Sequence, residues 1–558
     1  MARFKPLAML AALAASVASI PALADSSAPD QRPNFLVIVA DDLGFSDLGA
    51  FGGEIATPHL DRLALSGLRL TDFNTAPTCS PTRSMLLSGT DNHRAGLGNM
   101  AEFTAPNQKG QPGHEGHLRT DVASLAELLG ANGYRTLHSG KWHLGLKPEH
   151  DPHARGFQHS FTLLQGSHNH FGTDIGSPAI YRENGVTLTS LPADFYSTAT
   201  FTTKLIDQLR TSAKQSEGRK PFFAYLTYTA PHFPLQAPPA EIAKYRGRYD
   251  AGFEALRQER LKRQVELGLL DPKVAAHLPA LPQGPWESYT PEQKRIAARS
   301  MEVYAAMVDR LDQNVGRVID ELKRTGEYDK TVILFLSDNG AAGRGVNDVK
   351  LGHIAQSVAA ADNSLDNLGA ATSYTSYDRG FAQAATAPSW LHKSFPTQGG
   401  TRTVSFFAGE PIARKGIGRA YGNVMDVVPT FLDLAGIPAP AGEFQGRKVQ
   451  PIRGKSWAPY LQGRSERVYA PDEAVGTELF GTRALRRGDW KITDIGDGQW
   501  RLFDLANDPG ETRDLALEQP ARLTELKAEW DRYAREVGVI MPKPALDHYK
   551  QLLPTPAQ

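Results

Sequence analysis

Cysteine is almost absent from this chain: among 558 residues there is one, Cys79. A single cysteine closes no intramolecular disulfide, which excludes a small cross-linked scaffold and leaves stability to a packed core. A surplus of either charge is also lacking, with Lys+Arg and Asp+Glu both at 61. That balance excludes a broad basic surface for nucleic acid, and no basic amphipathic segment suits a lipid surface. Beyond the N-terminal segment no apolar run reaches the length of a membrane span. Internal repeats and low-complexity tracts are missing too. These absences leave a globular enzyme or binding protein with a small ligand.

The N-terminal segment has its own logic. Arg3 and Lys5 precede an apolar stretch from Leu7 to Ile20, which ends in the small-x-small pattern Ala22-Leu23-Ala24. This is the pattern of a cleaved secretory signal, too short to span a bilayer comfortably. The expectation is a signal peptide over residues 1–24 and a protein that is periplasmic or secreted. Losing Arg3 and Lys5 leaves the mature chain at about −2. In an oxidising compartment a lone cysteine is either an inert apolar residue or a group kept for its reactivity.

Short apolar runs recur along the chain and end abruptly in polar residues. NFLVIVA runs into Asp41-Asp42, and TVILFLS into Asp338-Asn339. FFAYLTYTA runs into Pro231-His232, and YRTLHSG into Lys141-Trp142-His143. Continuous runs of this kind predict strands buried on both faces. Helical patterns lie between them: Thr57 to Gly67, Asp121 to Gly130, and about Met301 to Arg324. The alternation predicts an α/β fold with a large, mainly parallel sheet flanked by helices. In such sheets ligands gather beyond the carboxyl ends of the strands, where all four polar clusters sit. After about Ile452 the texture changes. ERVYA, ALRRGDWKITDI and QWRLFDL predict short antiparallel strands, and Leu523, Leu526, Trp530 and Tyr533 share one helical face. The expected organisation is a catalytic domain over 25–450 and an α+β subdomain over 451–558. The stretch 341–390 predicts long connections that rim a site.

Asp41, Asp42, Asp338 and Asn339 offer oxygen ligands at two strand ends, with three negative charges that a cation between them would reconcile. No Cys or His adjoins either pair, so a hard ion such as Ca²⁺ or Mg²⁺ fits better than zinc. Around Cys79, Ser80 is placed to cap a helix beginning at Pro81, with Arg83 on its first turn. A helix N-terminus and a guanidinium beside a thiol make an environment suited to an anion. The His168-Asn169-His170 cluster has no required partner in the sequence and stays unassigned.

CSPTR, Cys79 to Arg83, resembles the C-x-P-x-R maturation signature of the formylglycine-dependent type I sulfatases, within the alkaline phosphatase superfamily. GYRTLHSGKWHLG, Gly133 to Gly145, is similar to their second signature. The strand–Asp-Asp, TAPHFP and strand–SDNG segments follow in the same order, and TAPSWLHKSFPTQGGTRT, Thr386 to Thr403, resembles the bacterial arylsulfatases. The likeness extends from Asn34 to about Asp433. Two positions depart from the commonest signature: Thr82 stands where Ser is usual, and Ser88-Gly89 where Thr-Gly is usual.

The resemblance implies an alkaline phosphatase-like fold and hydrolysis of sulfate monoesters, aryl sulfates above all, through a formylglycine-sulfate intermediate. It implies that Cys79 is a precursor, oxidised to Cα-formylglycine by a maturation enzyme that reads the unfolded segment. One Ca²⁺ per chain would bind Asp41, Asp42, Asp338 and Asn339. Arg83 and Lys141 would hold the modified residue and the sulfuryl oxygens. His232 and Lys393 would bind the ester oxygen, with His232 the acid for the leaving alcohol, and His143 would be the base that releases sulfate. Two other functions remain open on sequence: a phosphonate or phosphate ester hydrolase of the same superfamily, and a non-catalytic exported binding protein.

Overall fold

The computed structural model of the chain describes residues 30–176, 178–216, 219–349 and 351–552, together with Met1. The expected export segment, Arg3 to Ala24, lies outside the described residues. Among those residues a ten-stranded mixed sheet forms the centre of the molecule. Its five middle strands run Thr331–Ser337, Asn34–Ala40, Phe222–Thr227, Arg135–Lys141 and His159–Leu163, side by side. All four pairings among them are parallel. Antiparallel partners join only outside this group, beginning with Ser405–Ala408 on one side and Tyr181–Glu183 on the other.

The three central strands, Thr331–Ser337, Asn34–Ala40 and Phe222–Thr227, are mainly apolar because both faces are covered. Leu36 and Ile38 face a cluster that includes Tyr304, Val308, Leu311 and Val315. Phe35, Val37 and Val39 face the opposite cluster, with Leu86, Leu87 and Phe431. Full burial of each such side chain contributes about 1.5–3 kcal/mol, which fixes the register of the strands. The helix expected from Met301 extends over Pro291–Thr325. It starts earlier because Thr290 and Gln293 form a capping box and Pro291 takes the first helical position. Gly326, with φ 71°, ends it.

A separate antiparallel sheet of four strands, Ala474–Leu479, Thr482–Arg487, Trp490–Asp494 and Arg501–Asp504, follows late in the chain. The helix Pro520–Val537 covers it with Leu526, Trp530 and Tyr533, and Leu523 packs at the margin. ERVYA, expected as a strand, is irregular instead. Its tyrosine, Tyr469, is turned inward to donate to Asp426 Oδ1 at 2.5 Å, which holds this stretch away from the sheet. No helix among the described residues is long and apolar enough to cross a membrane.

Candidate active site

Parallel pairing brings the polar strand ends to one edge. Ala40 sits opposite Ser337 in the register, so Asp41-Asp42 and Asp338-Asn339 emerge side by side. Asp338 N–H donates to Ala40 O at 3.1 Å, and Asp42 N–H donates to Asp338 Oδ1 at 3.3 Å. All four residues are buried. Asp42 has φ 68°, a left-handed conformation that is costly for a residue with a Cβ and recurs where function requires it.

The helix beside them begins at Cys79, not at Pro81, and runs to Ser88 with Thr78 as its N-cap residue. Pro81 falls within the first turn, where the missing N–H costs nothing because those amides have no helical acceptor. The expected cap at Ser80 is therefore corrected: Ser80 is already helical, and its Oγ has no hydrogen-bond partner among the described residues. Cys79 Sγ lies 3.5 Å from Asp41 Oδ1 and 3.3 Å from Lys393 Nζ. One turn on, Arg83 donates through Nε and Nη2 to Asp338 Oδ2 at 3.1 and 2.8 Å. Its Nη1 donates to Lys141 O at 3.1 Å.

Lys141 ends its strand and places Nζ 2.7 Å from Asp41 Oδ2. Lys393 Nζ and Asn339 Nδ2 both donate to Asp42 Oδ1, each at 2.6 Å. His232 donates from Nδ1 to Phe233 O at 2.6 Å, which assigns the proton of the neutral ring to Nδ1. Its Nε2 then presents a lone pair 3.5 Å from Asp42 Oδ2. His143, at φ 60°, sets Nε2 3.1 Å from Glu102 Oε1. Gly166 makes room for that ring, since a Cβ there would lie 2.6 Å from it. The structure thus brings all ten expected residues to one place.

Burial and the charge on Asp338 push Asp41 up to about 7. Asp338 moves the other way: burial opposes ionisation, but the Arg83 guanidinium and Lys141 hold it below the usual carboxylate range. Burial, then Asp338, pushes the Cys79 thiol well up, so it is no ready thiolate. Lys393 stays charged against burial because Asp42 faces it. Burial, Lys393 and Lys141 push His232 well down. Burial also lowers His143, opposed by Glu102.

Two buried acceptors, Asp42 Oδ2 and Asn339 Oδ1, find no hydrogen-bond donor among the described residues. Orphaned buried oxygens are costly, and a cation between them resolves the cost. Ligand atoms of Asp41, Asp42, Cys79 and His232 lie within 4.8 Å of one another. The orphaned oxygens and the neighbouring carboxylates fit a hard metal ion.

Cys79, His143, His232 and Lys393 open into one cavity of about 340 Å³, shared with Glu102. The stretch 341–390 rims it, through residues that include Gly343, Val349, Ile354 and Tyr374. Of the unassigned histidines, His170 is structural, bonded to Ser197 Oγ at 2.8 Å and His232 O at 3.1 Å. Glu102 was invisible to sequence reasoning. It sits on a single 3-10 turn, Ala101–Phe103, with no periodicity or motif to mark it.

Comparison with known proteins agrees with this geometry. The sulfatase family model matches residues 33–437. An uncharacterized sulfatase of Schizosaccharomyces pombe is 47% identical over 537 residues, covering 92% of this chain and 96% of that protein. The arylsulfatase of Klebsiella aerogenes is 37% identical over 458 residues, covering 80% and 95%. The crystal structure of Ps i-CgsB shares the fold with a TM-score of 0.65 at 24% identity, over 90% of this chain and 93% of that one. The chain belongs to the sulfatase family, with the fold of the alkaline phosphatase-like superfamily.

Proposed function

We propose that this chain hydrolyses aryl sulfate monoesters to a phenol and inorganic sulfate, with Cys79 converted to Cα-formylglycine and Ca²⁺ held by Asp41, Asp42, Asp338 and Asn339. One observation carries the reading: the single cysteine is buried where three cations and three carboxylates converge. A thiol so placed is a poor nucleophile and suits a precursor. When present, the hydrated aldehyde would supply one hydroxyl to attack sulfur and a second whose deprotonation expels sulfate as the carbonyl re-forms, and the cation would supply the charge that lowers the attacking hydroxyl's pKa.

The chain's own residues do the rest. Arg83 fixes Asp338 by two hydrogen bonds and reaches the Lys141 carbonyl, so it ties the helix to two strand ends. Lys141 and Lys393 face the sulfuryl oxygens from the sides of Asp41 and Asp42 and offset their charge. His232 is neutral at rest. A bound ester anion supplies the negative charge that draws a proton to Nε2, from which the leaving phenolate takes it. Glu102 orients His143 and opposes the burial that depresses it, keeping a base available for the second proton transfer.

Cys79 lies at the floor of the cavity with 1% exposure and Arg83 is fully buried, so a maturation enzyme would act before the segment folds. The N-terminal pattern supports export to the periplasm or beyond. The test is kinetic. With 4-nitrophenyl sulfate and 4-nitrophenyl phosphate side by side, the sulfate should show the higher kcat/KM, and Cys79→Ala should abolish its turnover. Preference for the phosphate would assign the chain to the phosphate ester hydrolases instead.

A further inference from the structure

The cavity above Cys79 carries more information than the reaction requires. At about 340 Å³ it exceeds twice the roughly 150 Å³ that accepts a benzene ring. One side of its wall is apolar: Phe103, Ile175, Val349, Leu351, Ile354 and Tyr374 all line it. Val349, Ile354 and Tyr374 form one packed cluster with Phe103 and Leu351 against it. This apolar wall stands on chain segments separate from the charged strand ends beneath Cys79.

Six of the polar side chains among the walls are already engaged by the protein. Gln165 donates to Pro178 O and accepts from Ile180 N–H, at 3.0 and 2.7 Å. Asn169 donates to Ala371 O and accepts from Phe171 N–H, at 2.7 and 2.9 Å. Ser357 donates to Ile175 O at 2.6 Å, and Thr173 to Ala371 O at 3.2 Å. His168 Nε2 pairs with Asp174 at 3.1 Å, and Arg344 Nη2 donates to Asp348 O at 2.9 Å. A sugar in this space would trade its water hydrogen bonds for few replacements, which is costly.

Resting on the sulfatase reading, the geometry points to an aryl sulfate whose phenol carries an apolar extension, an alkyl chain or a second uncharged ring, as the preferred substrate. Sulfated sugars are excluded from preference by the same walls. The ring carrying the ester oxygen sits at the Cys79 end, and the extension fills the space between Leu351, Ile354 and Phe103. Buried methylenes then add to binding in proportion to their number, until the cavity is full.

The test is a series of 4-alkylphenyl sulfates from methyl to hexyl, with phenyl sulfate, 4-nitrophenyl sulfate and glucosamine 6-sulfate as comparators. Alkyl length leaves the phenol's acidity nearly constant, so the series reads burial alone. kcat/KM should rise about threefold to fourfold per methylene, roughly a hundredfold from ethyl to hexyl. Leu351→Asp, or the nearly isosteric Val349→Thr if the first does not fold, should flatten the hexyl-to-ethyl ratio. A flat or falling wild-type series, or faster turnover of the sugar sulfate, would overturn the substrate assignment while leaving the sulfatase reading intact. Failure to hydrolyse even 4-nitrophenyl sulfate would overturn both.

Discussion

Raising the pH should weaken the attachment of the late antiparallel sheet to the catalytic core, and His93 sets the window. Its Nδ1 lies 3.0 Å from Asp91 Oδ1 and its Nε2 3.0 Å from Glu478 Oε2, with the ring fully buried. Glu478 stands on the first strand of the separate sheet, and Tyr533 of its covering helix donates to Asp91 at 2.8 Å. Burial alone would lower His93, but the two carboxylates prevail and push it up to about 9 from an ordinary 6.5. A raised histidine contributes stability that is complete below the unfolded value and lost as the pH climbs through the folded one. The window is therefore pH 6.5 to about 9. At about 1.4 kcal/mol per pH unit the loss is on the order of 3 kcal/mol. Urea denaturation midpoints measured from pH 6 to pH 10, a range set to bracket both values, should fall across that window. Glu478→Gln, which keeps the shape but removes one charge, should lower the midpoint below pH 6.5 and shrink the fall above it. Equal midpoints at both ends for the wild type, or an unchanged fall in Glu478→Gln, would refute a charged His93.

Three further outcomes follow from the active site. Glu102→Gln should cut kcat by about tenfold to a hundredfold and move the acid limb of the pH–rate profile lower, because Glu102 raises His143; a uniform loss with an unmoved limb would make Glu102 merely structural. His232→Ala should cost on the order of 10²–10⁴-fold on phenyl sulfate and far less on nitrophenyl sulfate, whose phenolate leaves without a proton. Equal losses on both substrates would remove His232 as the acid. Elemental analysis should find about one Ca²⁺ per chain, reduced together with activity in Asp338→Ala; stoichiometric zinc that tracks activity would contradict the proposed ligand set.

Much of this arrangement is legible in the sequence because strands buried on both faces leave unbroken apolar runs. Those runs end where the chain meets the site, so Asp41, Asp338 and His232 are marked by the change itself, whereas Lys141 ends a largely polar strand and is marked by its motif. Starts of helices are less legible. Pro81 looks like a first helical residue, yet the helix begins at Cys79, because the whole first turn tolerates a missing amide. The long helix begins at Pro291 in a polar stretch whose capping box, Thr290 to Gln293, outweighs its lack of apolar spacing. The rim formed by 341–390 is expected, but Glu102 and the walls from 100–103 and 165–178 are illegible for another reason. They meet only through tertiary contact among 100–103, 165–178 and 342–374, segments whose separate sequences carry no shared period. ERVYA has strand composition, but its path is irregular and Tyr469 is tied to Asp426 by a half-buried hydrogen bond.

The central claim is that Cys79 acts as the source of an aldehyde and not as a thiol. Protein from a host with a maturation system, digested and analysed by mass spectrometry, reads this directly at the Cys79 peptide. The account predicts a peptide that has lost its sulfur, reacts with hydrazines and resists thiol alkylation, in a fraction that scales with specific activity on 4-nitrophenyl sulfate across preparations. Fully active enzyme whose Cys79 peptide is intact, alkylatable cysteine throughout would contradict it.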